Sequence, residues 1–114
     1  ILLRNMAGAR LPIAVAHGEG RVSYDEPADA DQAIPALRYI DPRGNAATTY
    51  PANPNGSPEG ATGFTTMDGR ATILMPHPER VFLSQQFSSL PADWQATEGP
   101  WLQLFRNARA WLAG

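Results

Sequence analysis

Two prolines one residue apart, Pro76 and Pro78, close the apolar run from Ala71 to Met75 and limit what the chain can do on either side of them. Each fixes its own φ and biases the preceding residue away from helix, so Pro76-His-Pro-Glu79 is predicted to be a short extended stretch. In extended backbone, residues two apart lie on one side of the chain and about 6.6 Å apart at Cα, which lets Glu79 accept a hydrogen bond from His77. An imidazole oriented by a carboxylate is the base half of a nucleophilic triad. The nucleophile is another matter. The sequence contains no cysteine, and the motif is not attached to a serine elbow of the G-x-S-x-G kind. The plain alternative is a strand-end histidine with Glu79 paired to Arg80 in solvent.

The same arrangement occurs once more, in Leu11-Pro-Ile-Ala-Val-Ala-His-Gly-Glu-Gly-Arg21: an apolar run, then His17, one residue, and Glu19. Imidazole and carboxylate together suit zinc or a similar ion, so His17, Glu19, His77 and Glu79 define a metal-binding alternative, although no H-E-x-x-H spacing is present. A tight glycine turn between two strands explains His17-Gly-Glu-Gly20 equally well. A third alternative is a noncatalytic β-rich interaction domain.

A chain of 114 residues is at most one domain with one modest core. Its 11 prolines are about twice the usual share of roughly 5 per cent, and with 10 glycines they predict loops and short strands. All nine cations are arginine and are spread along the chain, which leaves no basic cluster for nucleic acid. Without cysteine there are no disulfides or thiolate metal sites. No long apolar run or signal peptide is visible, so no membrane association is expected and a cytoplasmic setting is favoured.

Along the chain, Leu11 to Ala16 reads as a buried strand and Arg21 to Tyr24 as its antiparallel return. Asp25 to Ala33 reads as a surface connection or one helical turn. Leu37 to Ile40 is a strand closed by the turn Asp41-Pro-Arg-Gly44, with Thr48 to Tyr50 as its partner. The ten residues from Pro51 to Gly60 can form only a loop. Gly63 to Met67 and Arg70 to Met75 flank Asp68-Gly69, the signature of a two-residue hairpin. Val81 to Phe87 is predicted to be a short helix. A longer one starts at Pro100 and runs to Leu112, with Trp101, Leu104, Phe105, Ala108, Trp111 and Leu112 on one face and Arg106 and Arg109 suited to the macrodipole. Such an aromatic stripe is core packing, and it needs more sheet to cover than these short strands offer. Part of the fold is therefore expected to lie outside the chain.

Four motifs in order carry a family resemblance: Leu11-Pro-Ile-Ala-Val-Ala-His-Gly-Glu-Gly-Arg21, Tyr50-Pro-Ala-Asn-Pro-Asn-Gly-Ser57, Met75-Pro-His-Pro-Glu-Arg-Val-Phe82, and Gly99-Pro-Trp101 with Leu104-Phe-Arg-Asn-Ala-Arg109. Together they resemble the phosphoribosylformylglycinamidine synthases, in the large single-chain form. The resemblance covers essentially the whole chain. It implies an α/β fold, with residues 1–114 as the C-terminal half of a flavodoxin-like class I glutaminase domain, built from β-hairpins and a C-terminal helix. In that family a cysteine attacks glutamine, a histidine moves protons and a glutamate orients it; the last two roles would fall on His77 and Glu79. The cysteine elbow would lie upstream of Ile1, so the chain alone is expected to be inactive.

The resemblance further implies glutamine as substrate, and as partners the N-terminal half of the glutaminase domain and a synthetase domain. That synthetase domain would use ATP and magnesium to turn formylglycinamide ribonucleotide into the amidine in purine biosynthesis. The present chain would need no cofactor. His17, Glu19, Asn55 and Ser57, with Asn53 beside them, are candidates for a cleft or an interface, and a purely structural turn or loop is the competing reading.

Overall fold

The computed structural model describes residues 1–93 and 97–114. Its backbone contacts group into two compact units: Ile1–Ala14 with Pro76–Gly114, and Val15–Met75.

The Val15–Met75 unit is built on a three-stranded antiparallel sheet, β1 (Pro35–Arg38), β2 (Ala61–Thr65) and β3 (Thr72–Leu74), in the order β1-β2-β3. The β2-β3 hairpin has Gly63 opposite Leu74, Phe64 opposite Ile73 and Thr65 opposite Thr72. Its connection is wider than the two-residue turn expected. Thr66 N–H donates to Ala71 O at 3.0 Å, which leaves four residues in the loop. Asp68 Oδ1 sets that width by accepting from the Thr66 hydroxyl at 2.6 Å and from Arg70 N–H at 3.1 Å. These bonds, the Thr66 one foremost, hold the Asp68 carboxyl below its ordinary value.

β1 pairs with β2, not with Thr48–Tyr50 as the sequence suggests. The reason lies in the turn after it. Asp41 Oδ1 accepts from Arg43 N–H and Asn45 N–H, at 2.8 and 3.0 Å, which brings Ala46 opposite Ile40 in a single bridge. Ala47 is then 2 % exposed and its carbonyl is already taken by Asn53, so the chain leaves for the loop instead of pairing further. Asn53 organises that loop from inside. Its Nδ2 donates to Ala47 O at 3.0 Å and Ser57 O at 2.9 Å, while its Oδ1 accepts from Gly56 N–H at 3.0 Å. The loop also contains a cis Tyr50–Pro51 bond and ends in a 3-10 turn, Pro58–Gly60. Gly60 has φ +68°, and a Cβ there would meet the carbonyl oxygen of Tyr39 at 2.6 Å, so both conformation and space require glycine.

Neither Leu11 to Ala16 nor Arg21 to Tyr24 is a strand. A strand needs a ladder, and the polar groups of these segments are used elsewhere: Val22 N–H goes to Ser57 Oγ at 2.9 Å, and Pro12 and Ala14 give their carbonyls to Trp101 and His77. The acidic stretch between them and β1 does contain one short helix, α1 (Pro27–Gln32), whose Asp29 carboxylate accepts from Glu26 N–H at 3.1 Å.

In the other unit, the expected helix from Val81 to Phe87 is reduced to a 3-10 turn, Ser84–Gln86. Residues 82–84 are instead zipped to 97–99. Leu83 bridges Glu98, Ser84 N–H donates to Thr97 O at 3.0 Å, the Ser84 hydroxyl to Glu98 O at 3.1 Å, and Gly99 N–H to Phe82 O at 2.8 Å. This zipper leads into α2 (Leu102–Leu112), which ends where the sequence predicts and starts two residues later than Pro100, with Trp101 as its N-cap. An Arg106–Glu98 ion pair ties the helix back to the zipper.

The face that α2 buries is only in part the one expected. Trp101 and Leu104 are 5 % and 6 % exposed and Asn107 is buried with them, while Phe105, Trp111 and Leu112 are exposed. Asn107 is inside because its amide is satisfied there: Nδ2 donates to Leu2 O and Arg4 O, both at 2.8 Å, and Oδ1 accepts from Gln103 at 2.8 Å. The N-terminal segment thus lies along α2.

Candidate functional site

His77 enters the structure at the end of the apolar run, with β3 finishing at Leu74 and Pro76 already in the unit that holds Ile1–Ala14. Its backbone is fixed on both sides. His77 N–H donates to Ala14 O at 3.0 Å, and His77 O accepts from Arg80 N–H at 3.1 Å. The second bond closes a 3-10 turn, Pro78–Arg80, so the stretch expected to be extended is folded over at its second half. Pro78 suits this turn because the first position of a helical turn has no use for an N–H and its φ is preset.

The turn brings the two side chains together more firmly than extended backbone would. His77 Nδ1 lies 2.7 Å from Glu79 Oε1. A carboxylate only accepts, so Nδ1 carries the proton and the ring's exchange with a reacting group falls to Nε2. The His77 hydrogen bond is the main reason the Glu79 carboxyl sits below its ordinary value of 4.5; the charge of Arg80 contributes least, and slight desolvation opposes the shift. The salt-bridge alternative to Arg80 is therefore a minor part of what Glu79 does. The His77 side chain is 31 % exposed and that of Glu79 56 %, so the pair is open to a reactant.

The depressed Glu79 value has a consequence for stability. A carboxyl whose folded value lies below its unfolded one stabilises the fold above about pH 4.5, and that contribution disappears as pH falls through the lowered value. Glu79→Gln should therefore lower the urea midpoint slightly near pH 7 and converge on the parent at acid pH, so that the acid limb of its midpoint profile is flatter. An identical acid limb in both proteins would contradict this account of Glu79.

The second His-x-Glu pair belongs to the other unit. Both ring nitrogens of His17 are shielded from solvent, and a Cβ on Gly20 would overlap the imidazole, so Gly20 is the residue that lets the ring pack there. Glu19 is exposed and sits on the rim of a groove of about 850 Å³ over the sheet face that carries Phe64 and Ile73. Ser57 is 3 % exposed and holds Val22, while Asn55 is half-buried with its Oδ1 inside the loop. Among the described residues no group of three or more His, Cys, Asp or Glu is placed to hold a metal ion.

A family model for CobB/CobQ-like glutamine amidotransferase domains matches residues 1–112. The chain belongs to that family. An amidotransferase domain takes glutamine as its substrate and releases its amide nitrogen as ammonia. Two polar anchors in the unit that holds His77 are not evident from the sequence. Trp101 reads there as one member of an apolar stripe, and the structure also uses its indole N–H, which donates to Pro12 O at 2.7 Å. Asn107 carries no sequence signal; a lone polar residue at a helical position normally faces water.

Proposed function

We propose that this chain is part of the glutaminase domain of a phosphoribosylformylglycinamidine synthase, with His77 as its proton-transfer residue and Glu79 as the group that orients it. The observation that carries the reading is the 2.7 Å contact between His77 Nδ1 and Glu79 Oε1, within a chain that belongs to a glutamine amidotransferase family. The four sequence motifs give it its finer identity. In this proposal residues 1–114 form the C-terminal half of a flavodoxin-like domain, and the cysteine comes from the N-terminal half.

The chemistry follows from the pair. A cysteine thiolate attacks the carboxamide carbon of glutamine, forming a C–S bond and a tetrahedral oxyanion. His77, protonated on Nε2, gives that proton to the amide nitrogen as the C–N bond breaks, and ammonia leaves a glutamyl thioester. The imidazole then takes a proton from water as its oxygen attacks the thioester carbon, and glutamate is released as the C–S bond breaks. Glu79 keeps Nδ1–H occupied throughout, so Nε2 remains the exchanging nitrogen and the transient imidazolium is stabilised.

Ammonia would pass to a synthetase domain that amidates formylglycinamide ribonucleotide with ATP and magnesium. No residue of the present chain is assigned to ATP or magnesium. A cytoplasmic location belongs to the same proposal; among the described residues no helix is long and apolar enough to cross a membrane.

The test is an assay of the intact enzyme carrying this chain, supplied with glutamine, ATP, magnesium and formylglycinamide ribonucleotide. Formation of the amidine, with one glutamate released per turnover, is expected. Glutamine hydrolysis coupled to a different acceptor would leave the amidotransferase assignment in place and overturn the purine-synthase identity.

A further inference from the structure

We infer that Trp101 is a positioning residue for His77, acting through the segment Pro12–Ala14; the inference rests on the proposed role of His77 as the proton-transfer residue. The main-chain N–H of His77 donates to the carbonyl of Ala14 at 3.0 Å. Two residues earlier, the carbonyl of Pro12 accepts the indole N–H of Trp101 at 2.7 Å. The segment is in neither helix nor strand, so no ladder holds it, and these two side-by-side bonds fix the carbonyl on which His77 hangs.

Trp101 is suited to this task because it is itself immobilised. It is 5 % exposed and stands at the head of α2, directly after the zipper that binds Gly99 to Phe82. Phe82 follows the Pro78–Arg80 turn by two residues. The indole is therefore tied to the turn that carries Glu79 by one route and to the backbone of His77 by another. Farther along, Asn107 holds the Leu2 and Arg4 carbonyls, which steadies the segment at its start without touching the part next to Ala14.

Loss of the indole N–H would free the Pro12 carbonyl and let Ala14 shift, taking the His77 main chain with it. The contact between His77 and Glu79 is internal to the turn and would survive. What changes is the aim of Nε2 and not its proton affinity, and small misplacements of a reacting group are costly in rate.

The experiment replaces Trp101 in the intact enzyme with 3-benzothienylalanine, which keeps the ring's shape and puts sulfur where the N–H was, with Trp101→Phe as the second variant. Glutamine-dependent kcat is expected to fall about tenfold, with KM for glutamine, the acid limb of the pH–rate profile and turnover driven by free ammonia all unchanged. A purely structural role would lower glutamine- and ammonia-driven turnover together, or neither, and either result overturns the inference. His77→Ala is run alongside. If it abolishes glutamine use while both Trp101 variants match the parent, the inference fails and the proposed function stands; if it leaves glutamine use intact, the proposed function itself fails.

Discussion

His77→Ala in the intact enzyme should lower glutamine-dependent turnover roughly 1,000-fold and leave synthesis driven by free ammonia within about twofold of the parent. The size of the loss follows from what the imidazole is asked to do. Ammonia is expelled as a neutral molecule only if the amide nitrogen is protonated as the C–N bond breaks, and water attacks a thioester fast only if its proton is removed. Both transfers fall on Nε2, because Nδ1 is committed to Glu79 at 2.7 Å. Ammonia supplied from solution bypasses both steps, so its use reports whether the rest of the enzyme is intact. Equal losses in the two assays would mean that His77 supports structure and not glutamine chemistry.

Asn53→Ala is the substitution expected to harm the fold most, by about 3 kcal/mol, or a fall in Tm of about 15 °C. Asn53 is 2 % exposed and makes three hydrogen bonds to backbone, at Ala47 O, Ser57 O and Gly56 N–H. Alanine would strand those groups in a loop whose prolines and glycines offer no regular alternative, and the space left is too enclosed for each to find water. The damage would spread, because the same loop presents Ser57 Oγ to Val22 N–H. Ser57→Ala removes only that one bond and should cost about 1 kcal/mol. Thermal unfolding of the two variants checks the ranking, and an Asn53→Ala protein as stable as Ser57→Ala would contradict the role given to Asn53.

The hairpin, the Asp41 turn and the C-terminal helix are legible in the sequence because each rests on local chemistry: Asp-Gly between alternating runs, an aspartate able to cap its own turn, apolar residues at helical spacing, whereas Asp25 to Ala33 reads equally as a connection or one helical turn. The errors have a common origin in long-range competition for backbone groups. Leu11–Ala16 has the composition of a strand, yet its carbonyls are claimed by Trp101 and His77, which lie far away in sequence. Val81–Phe87 has an acceptable helical pattern, and pairing with residues 97–99 displaces it. In α2 the apolar stripe gives no sign of Asn107, whose burial depends on two carbonyls more than a hundred residues away.

For the site, the His77–Glu79 contact was readable from a two-residue spacing between prolines, although a 3-10 turn makes it and not an extended chain. The support behind it was not readable, since an indole N–H reaching a proline carbonyl leaves no periodic trace.

A double-mutant cycle on glutamine-dependent turnover in the intact enzyme, with His77→Ala, Glu79→Ala and both, tests the central claim most directly. If Glu79 acts by holding the imidazole, its loss should matter only while His77 is present. The double variant should then be no slower than His77→Ala alone. Losses that multiply, with the double variant slower than His77→Ala by the full Glu79→Ala factor, would show that the two residues act independently and would contradict the account.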